Sequence, residues 1–225
     1  MHYLGLAIYA EGRTDERFLG PVLQRLCGEI CARESRHIVQ FNDEILPLPH
    51  SPKLQHAPRE DRIVDAARRG EGAWSILFVH ADADGDADKA RRERAQPALD
   101  RLRTVFGPSA QAVAVIPVRT TEAWALCDGD ALRQVFGTTL DDKALALPAS
   151  AKAIERLADP KRCLTAAFEA SQAGRRRRSS QTVSERLGAL GGQIALGRLR
   201  QLAAFRDMEA ELKQALRVLQ VLDDA

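Results

Sequence analysis

Two short stretches of this chain place carboxylates directly at the ends of apolar runs. In "AIYAEGRTDERFLGPVLQRL" (7–26), Glu11 closes the first run, and Asp15 and Glu16 follow within about a turn of helix. In "WSILFVHADADGDAD" (74–88), a second run ends in His80, and Asp82, Asp84, Asp86 and Asp88 occupy alternate positions after it. Carboxylates brought close together repel unless a cation sits between them, and oxygen donors of this kind suit Mg²⁺ or Mn²⁺. A cation so held activates water and stabilises a leaving oxygen, which is what phosphodiester hydrolysis requires. Simpler readings stand beside this one. Asp15 and Glu16 complement the dipole of a helix start, and the 82–88 run serves as a solvated turn. Yet alternating acids straight after "SILFV" are more than a turn needs.

The acids converge only if the elements carrying them are neighbours. Residues 3–10 read as one strand, apolar almost throughout, as expected of a strand covered on both faces. Thr14 is placed to cap the next helix, whose buried stripe is Phe18, Leu19, Val22, Leu23, Leu26 and Ile30. A second strand is expected within 36–48, a loop over 49–60, a helix over 59–69 and a third strand over 75–79. A helix over 89–106 and a fourth strand over 112–118 complete the alternation. Strands alternating with helices make βαβ units and a mainly parallel sheet, so the fold class is α/β. In such sheets functional groups gather beyond the carboxyl ends of the strands, where Glu11 and Asp82 both lie. After residue 120 only helical patterns remain, ending in an amphipathic helix marked by Phe205, Met208, Leu212, Leu216, Leu219 and Leu222. The expected organisation is an α/β domain over 1–120 with a helical region over 121–225 packed on it.

Composition bounds the partners. With 225 residues, 45% of them hydrophobic, the chain is long enough for one well-buried core with an added lobe. Its 33 basic and 31 acidic residues leave a net charge of +2, so only local clustering argues for nucleic acid. Arg175, Arg176, Arg177 and Arg178 form the densest such cluster, suited to tracking a phosphate backbone or to lining a solvated loop. Dispersed cations nearer the acids, Arg119, Lys152 and Lys161, are the other source of phosphate contacts. Cys27 and Cys31 lie four apart on an apolar helix face and no CxxC pair occurs, which reads as core packing in a reducing compartment. The first apolar run is broken by Glu11 and Arg13 too early for a secretory signal, and no stretch approaches the ~20 apolar residues of a membrane span. A cytoplasmic location without membrane contact is expected.

The two acidic stretches also carry a resemblance. "AEGRTDERFL" resembles the first motif of the Toprim domain of topoisomerases, primases and overcoming-lysogenization-defect nucleases, and "FVHADADGD" resembles the second. Together with "IPVRTTEAWALCDGDAL", "DPKRCL" and "LAAFRDMEAEL", the chain is similar to domain-of-unknown-function family 4276, a bacterial Toprim-like family often encoded beside ATPases in defence loci. The resemblance implies a Toprim-like parallel sheet and a Mg²⁺- or Mn²⁺-dependent nuclease acting on DNA or RNA, with a partner ATPase of the ABC or AAA type. It implies Glu11 as general acid or base and metal ligand, and Asp82 and Asp84 as the metal-binding pair. It adds Asp15 as a ligand of the overcoming-lysogenization-defect branch and Glu122 as a further acid completing a two-metal site. Lys161 would neutralise charge developing on phosphate, unless it merely starts a helix after Pro160. Asp86 extends the acidic set.

Other readings of the same residues remain. Asp82, Asp84, Asp86 and Glu93 fall at positions one, three, five and twelve of a calcium loop, but Ala87 stands where glycine belongs and a strand precedes it. "FVHADADGD" also resembles the haloacid-dehalogenase phosphatase motif with Asp82 as nucleophile, which leaves Glu11 unexplained. A catalytically inactive module that docks onto an ATPase is the non-enzyme alternative. The chain has no GxxxxGK, so it is not itself a P-loop ATPase. His80 reads as a structural strand-end residue or a metal ligand, and Trp124 as core packing.

Overall fold

A computed structural model describes residues 1–108, 110–173 and 182–223. The 3–10 run forms two strands rather than one, β1 (His2–Leu4) and β2 (Leu6–Tyr9). The break falls at Gly5, where a Cβ would stand 2.2 Å from the Ala73 carbonyl oxygen. That approach is needed because the Gly5 carbonyl accepts hydrogen bonds from the Ser75 and Ile76 amides. Helix α1 (Arg13–Glu34) follows, with Gly12 rather than Thr14 at its cap position and no side chain capping it. The stripe from Phe18 to Ile30 is buried as expected.

The second expected strand also divides, into β3 (Val39–Phe41), paired with β1, and β4 (Leu46–Pro47), paired with β2. Asn42 stands between them. Its Oδ1 accepts from the Leu6 amide at 2.8 Å and its Nδ2 donates to the Leu6 carbonyl at 3.0 Å. One side chain thus stands in for backbone pairing where the strands change partners.

A 3-10 turn (Pro52–Leu54) and α2 (Arg59–Arg69) lead to β5 (Ile76–His80). The expected 89–106 helix is three consecutive pieces: α3 (Ala87–Ala90), a π-helical turn (Arg91–Ala95) and α4 (Gln96–Phe106). Strand β6 (Gln111–Val115) completes a parallel sheet of order β4-β2-β5-β6. Its register sets Tyr9 beside Val79 and His80 beside Val115, so Glu11 and the acidic loop leave the same edge.

Helices cover both faces. Alternate strand residues Leu6, Ile8, Ile76, Phe78, Val113 and Val115 join α1 and the C-terminal helices in one core. Their neighbours Ala7, Tyr9, Leu77, Val79 and Ala114 join α2 and α4 in the other. The C-terminal region consists of α5 (Thr121–Ala125), α6 (Gly129–Phe136), α7 (Ala151–Glu155), α8 (Pro160–Gln172), α9 (Val183–Gln193), α10 (Leu196–Leu199) and α11 (Ala203–Val218). No strand follows β6 among the described residues. Trp124 is core, edge-on to Phe205 of α11 at 5.2 Å. Helix α11 also closes the sheet, since Glu211 accepts from the edge amide of Ala114 at 3.2 Å and pairs with Arg91 at 2.6 Å. Among the described residues no helix is long and apolar enough to cross a membrane.

The Gly5 contact is the tightest constraint on this topology. Gly5→Ala is expected to lower stability by about 2 kcal/mol, the usual scale of overpacking. Urea unfolding checks this: the midpoint should fall with the slope unchanged, and an unmoved midpoint would show that the β1–β2 junction yields.

Candidate metal centre

His80 ends β5 and is fully buried, on the same face of the strand as Ile76 and Phe78. Its Nδ1 lies 3.5 Å from the Glu11 amide nitrogen. Its Nε2 lies 3.1 Å from Asp82 Oδ1 and 3.1 Å from Thr121 Oγ1. The Thr121 hydroxyl in turn hydrogen-bonds the Asp15 carboxylate. One imidazole therefore links the end of β2, the acidic loop, α5 and the first turn of α1.

Ligand atoms of Asp15, His80 and Asp82 lie within 4.8 Å of one another. Asp15 is only 8% exposed. Burial pushes its pKa up, and the charges of Asp82 and Glu122 add to this while His80 and the Thr121 hydrogen bond oppose it. Glu122, on α5, is equally buried. A divalent cation relieves this repulsion, so the residues present fit one. Asp15 and Asp82 offer carboxylate oxygens and His80 one imidazole nitrogen, a mostly oxygen donor set that suits Mg²⁺ or Mn²⁺.

The acidic loop is held by its backbone. Ala81 and Ala83 are buried, and their amides donate to the carbonyls of Val115 at 3.0 Å and Pro117 at 3.1 Å. Alternation then turns Asp82 toward His80. Asp84, at φ +52°, has its side chain 77% exposed, and Gly85 at φ +101° completes the turn. Asp86 caps α3 by accepting from the Lys89 amide at 2.9 Å. The structure thus groups Asp15 and Asp82 with Glu122 close by, and gives Asp84 and Asp86 other partners.

Glu11 sits at the same edge between two arginines. Its Oε1 accepts from Arg59 Nη1 at 3.2 Å and from Arg94 Nη2. Its Oε2 has no hydrogen-bond partner among the described residues. Arg59 also donates to the His80 carbonyl at 2.5 Å and lies 5.8 Å from the Tyr9 ring centroid. Burial pulls the Arg59 pKa down, against the charge of Glu11. Arg94, on the π-helical turn, donates to the Asp82 carbonyl at 2.6 Å and lies 3.6 Å from Asp84. Lys161 occupies the first turn of α8, after the capping residue Asp159, and shares a cleft with Thr14 and Glu122. The run from Arg175 to Arg178 lies outside the described residues.

Sequence reasoning did not single out Arg59, Arg94 or Thr121 as members of the site, and it weighted His80 toward a structural role. Thr121 stands beside Glu122 in a stretch already noted, whereas Arg94 is 83 residues from Glu11 and has no spacing to betray it. No protein-family model, no curated protein and no solved structure matches this chain.

The strained ionisation of Asp15 is measurable without metal. A carboxyl whose folded pKa is raised binds its proton more tightly in the fold than in the unfolded chain. Stability therefore falls as pH rises from the ordinary carboxylate range through the raised value. In a chelator, Asp15→Asn, which keeps an acceptor for Thr121, should melt a few degrees higher than the wild type above about pH 7. The difference should shrink toward about pH 4, where the native carboxyl keeps its proton. A variant that melts lower at neutral pH would mean that Asp15 is not under electrostatic strain.

Proposed function

We propose that this protein is a divalent-metal-dependent phosphodiesterase, a nuclease of Toprim type. The observation that carries the reading is the grouping of Asp15, His80 and Asp82 at the carboxyl edge of a parallel sheet, with Asp15 buried and repelled by Asp82 and Glu122. A module that only docked onto a partner would have no use for a buried, mutually repelling set of acids, because the repulsion weakens its fold. A phosphatase with Asp82 as nucleophile leaves Asp15 and Glu122 without a role.

Asp15 and Asp82 would hold Mg²⁺ or Mn²⁺ together with His80, with Glu122 near enough to act on Asp15 and Glu11 turned to its two arginines at the same edge. When bound, the ion supplies Lewis-acid stabilisation of a phosphoryl oxygen and a water of lowered pKa. The chain's own residues do the positioning. His80 fixes one oxygen of Asp82, Thr121 fixes Asp15, and Arg59 and Arg94 orient Glu11. Lys161, in one cleft with Glu122, and Arg94, 3.6 Å from Asp84, would neutralise charge on a phosphate, and the 175–178 arginine run would add contacts along the strand. The similarity to family 4276 extends the proposal to an effector of a defence or toxin system acting with an ABC- or AAA-type ATPase.

Plasmid and RNA cleavage in Mg²⁺ or Mn²⁺ tests this reading. Activity should vanish in EDTA, and Asp82→Ala should reduce it by on the order of 100-fold, the scale of lost charge stabilisation. Saturating Mn²⁺ should raise the melting temperature of the wild type but not of Asp82→Ala. Cleavage that survives EDTA or the substitution, or a melting point indifferent to Mn²⁺, overturns the proposal.

A further inference from the structure

Beside the carboxylates lies a cleft of about 480 Å³ between α8 and α9, within the ~300–1,000 Å³ of small-ligand sites. Its lining is of two kinds. Thr14, Glu122, Lys161 and Glu169 are among the polar residues, and Leu164, Phe168, Val183 and Leu187 are the apolar ones. Glu122 belongs both to the acidic group and to the cleft, and Thr14 directly precedes Asp15, so the two spaces are continuous. Lys161 has no ion-pair partner among the described residues. Phe168 is held edge-on against Phe136 at 5.1 Å, which makes the apolar wall rigid.

A flat apolar group with a phosphate at one end matches this division, the phosphate lying between Lys161 and the carboxylates. We infer that the cleft seats one unpaired nucleoside of the substrate strand, so that the site takes single-stranded nucleic acid in preference to duplex. A paired base keeps its faces stacked inside the helix and cannot enter a cleft of this size. An unstacked base has an exposed π-face that an apolar pocket covers regardless of its identity. The inference rests on the phosphodiesterase reading and names the strand state it acts on.

Equilibrium binding in Ca²⁺, which takes the same oxygen ligands and neutralises the carboxylates, separates the two, with each strand checked to be intact afterwards. Fluorescence anisotropy with labelled single-stranded DNA and RNA of about 12 nucleotides, and with the matching duplexes, supplies the probes. Single strands of at least one sugar type should bind about tenfold more tightly than duplex, the scale of one base stacked on a protein surface. Thr165 lies on the cleft wall and is exposed, so Thr165→Trp fills the cleft without disturbing the core. It should remove that preference while leaving duplex binding unchanged. Lys161→Ala should reduce the salt slope by about one phosphate contact. Should Thr165→Trp fail to fold by circular dichroism, Ser184→Trp fills the same cleft from α9.

Equal affinity for duplex and single strand, or tryptophan variants that bind single strands as the wild type does, overturns the inference. Single-strand preference lost in the tryptophan variants, in a protein that cleaves nothing in Mg²⁺, upholds the cleft and overturns only the hydrolase reading. Metal-dependent cleavage of duplex that ignores the tryptophan variants does the reverse.

Discussion

The site depends on one backbone pairing, that of β2 with β5. Its parallel register carries the Glu11 amide to 3.5 Å from the His80 ring. It also places His80 Nε2 3.1 Å from both Asp82 and Thr121, in the cluster that Asp15 completes. A shift of register by one residue would turn His80 to the opposite face of the sheet, toward α2 and α4. The buried continuity of Leu6, Ile8, Ile76 and Phe78 over α1 is what resists that slip.

Each acid is then held in the same manner. Asp82 is anchored by His80, Asp15 by Thr121 and Glu11 by two guanidiniums on its Oε1. Tethering a carboxylate by one donor fixes its direction and leaves it able to take a second partner, which is how residues around a metal site orient its ligands. The charges are also layered. Arg59 and Arg94 face Glu11 from the α2–α4 side of the sheet, while Asp15 and Glu122 come from the α1–α5 side and make no ion pair with Lys or Arg among the described residues. The net negative charge therefore concentrates on that side, where the carboxylates of Asp15 and Asp82 meet.

Much of this was legible in the sequence, and the failures have physical causes. Continuous apolar runs revealed the parallel α/β sheet, because burial on both faces leaves a composition signature, and the spacing of Ile63, Ala66 and Ala67 revealed the helix over 59–69. The same signature hid the break at Gly5, which arises from the approach of Ala73, a contact 68 residues distant. Alternation along "HADADGD" drew attention to Asp82, which lies against His80, but gave Asp84 and Asp86 equal standing. A positive φ at Asp84 and a helix start at Asp86 redirect those two, and neither is visible in the period of the pattern. The arginines escaped notice because ion pairs made across the sheet leave no local spacing.

The helical region cannot be regarded as a lid added to a complete sheet. Helix α5 carries Glu122 and Thr121, α8 carries Lys161, and Glu211 of α11 covers the edge amide of β6. These helices share one apolar core with α1, the helix that carries Asp15. Asp15 is buried because α1 packs beneath them, and its raised pKa is a consequence of that burial. The parallel sheet supplies the direction of the carboxylates, and the helices supply the low-dielectric surroundings that raise the Asp15 pKa.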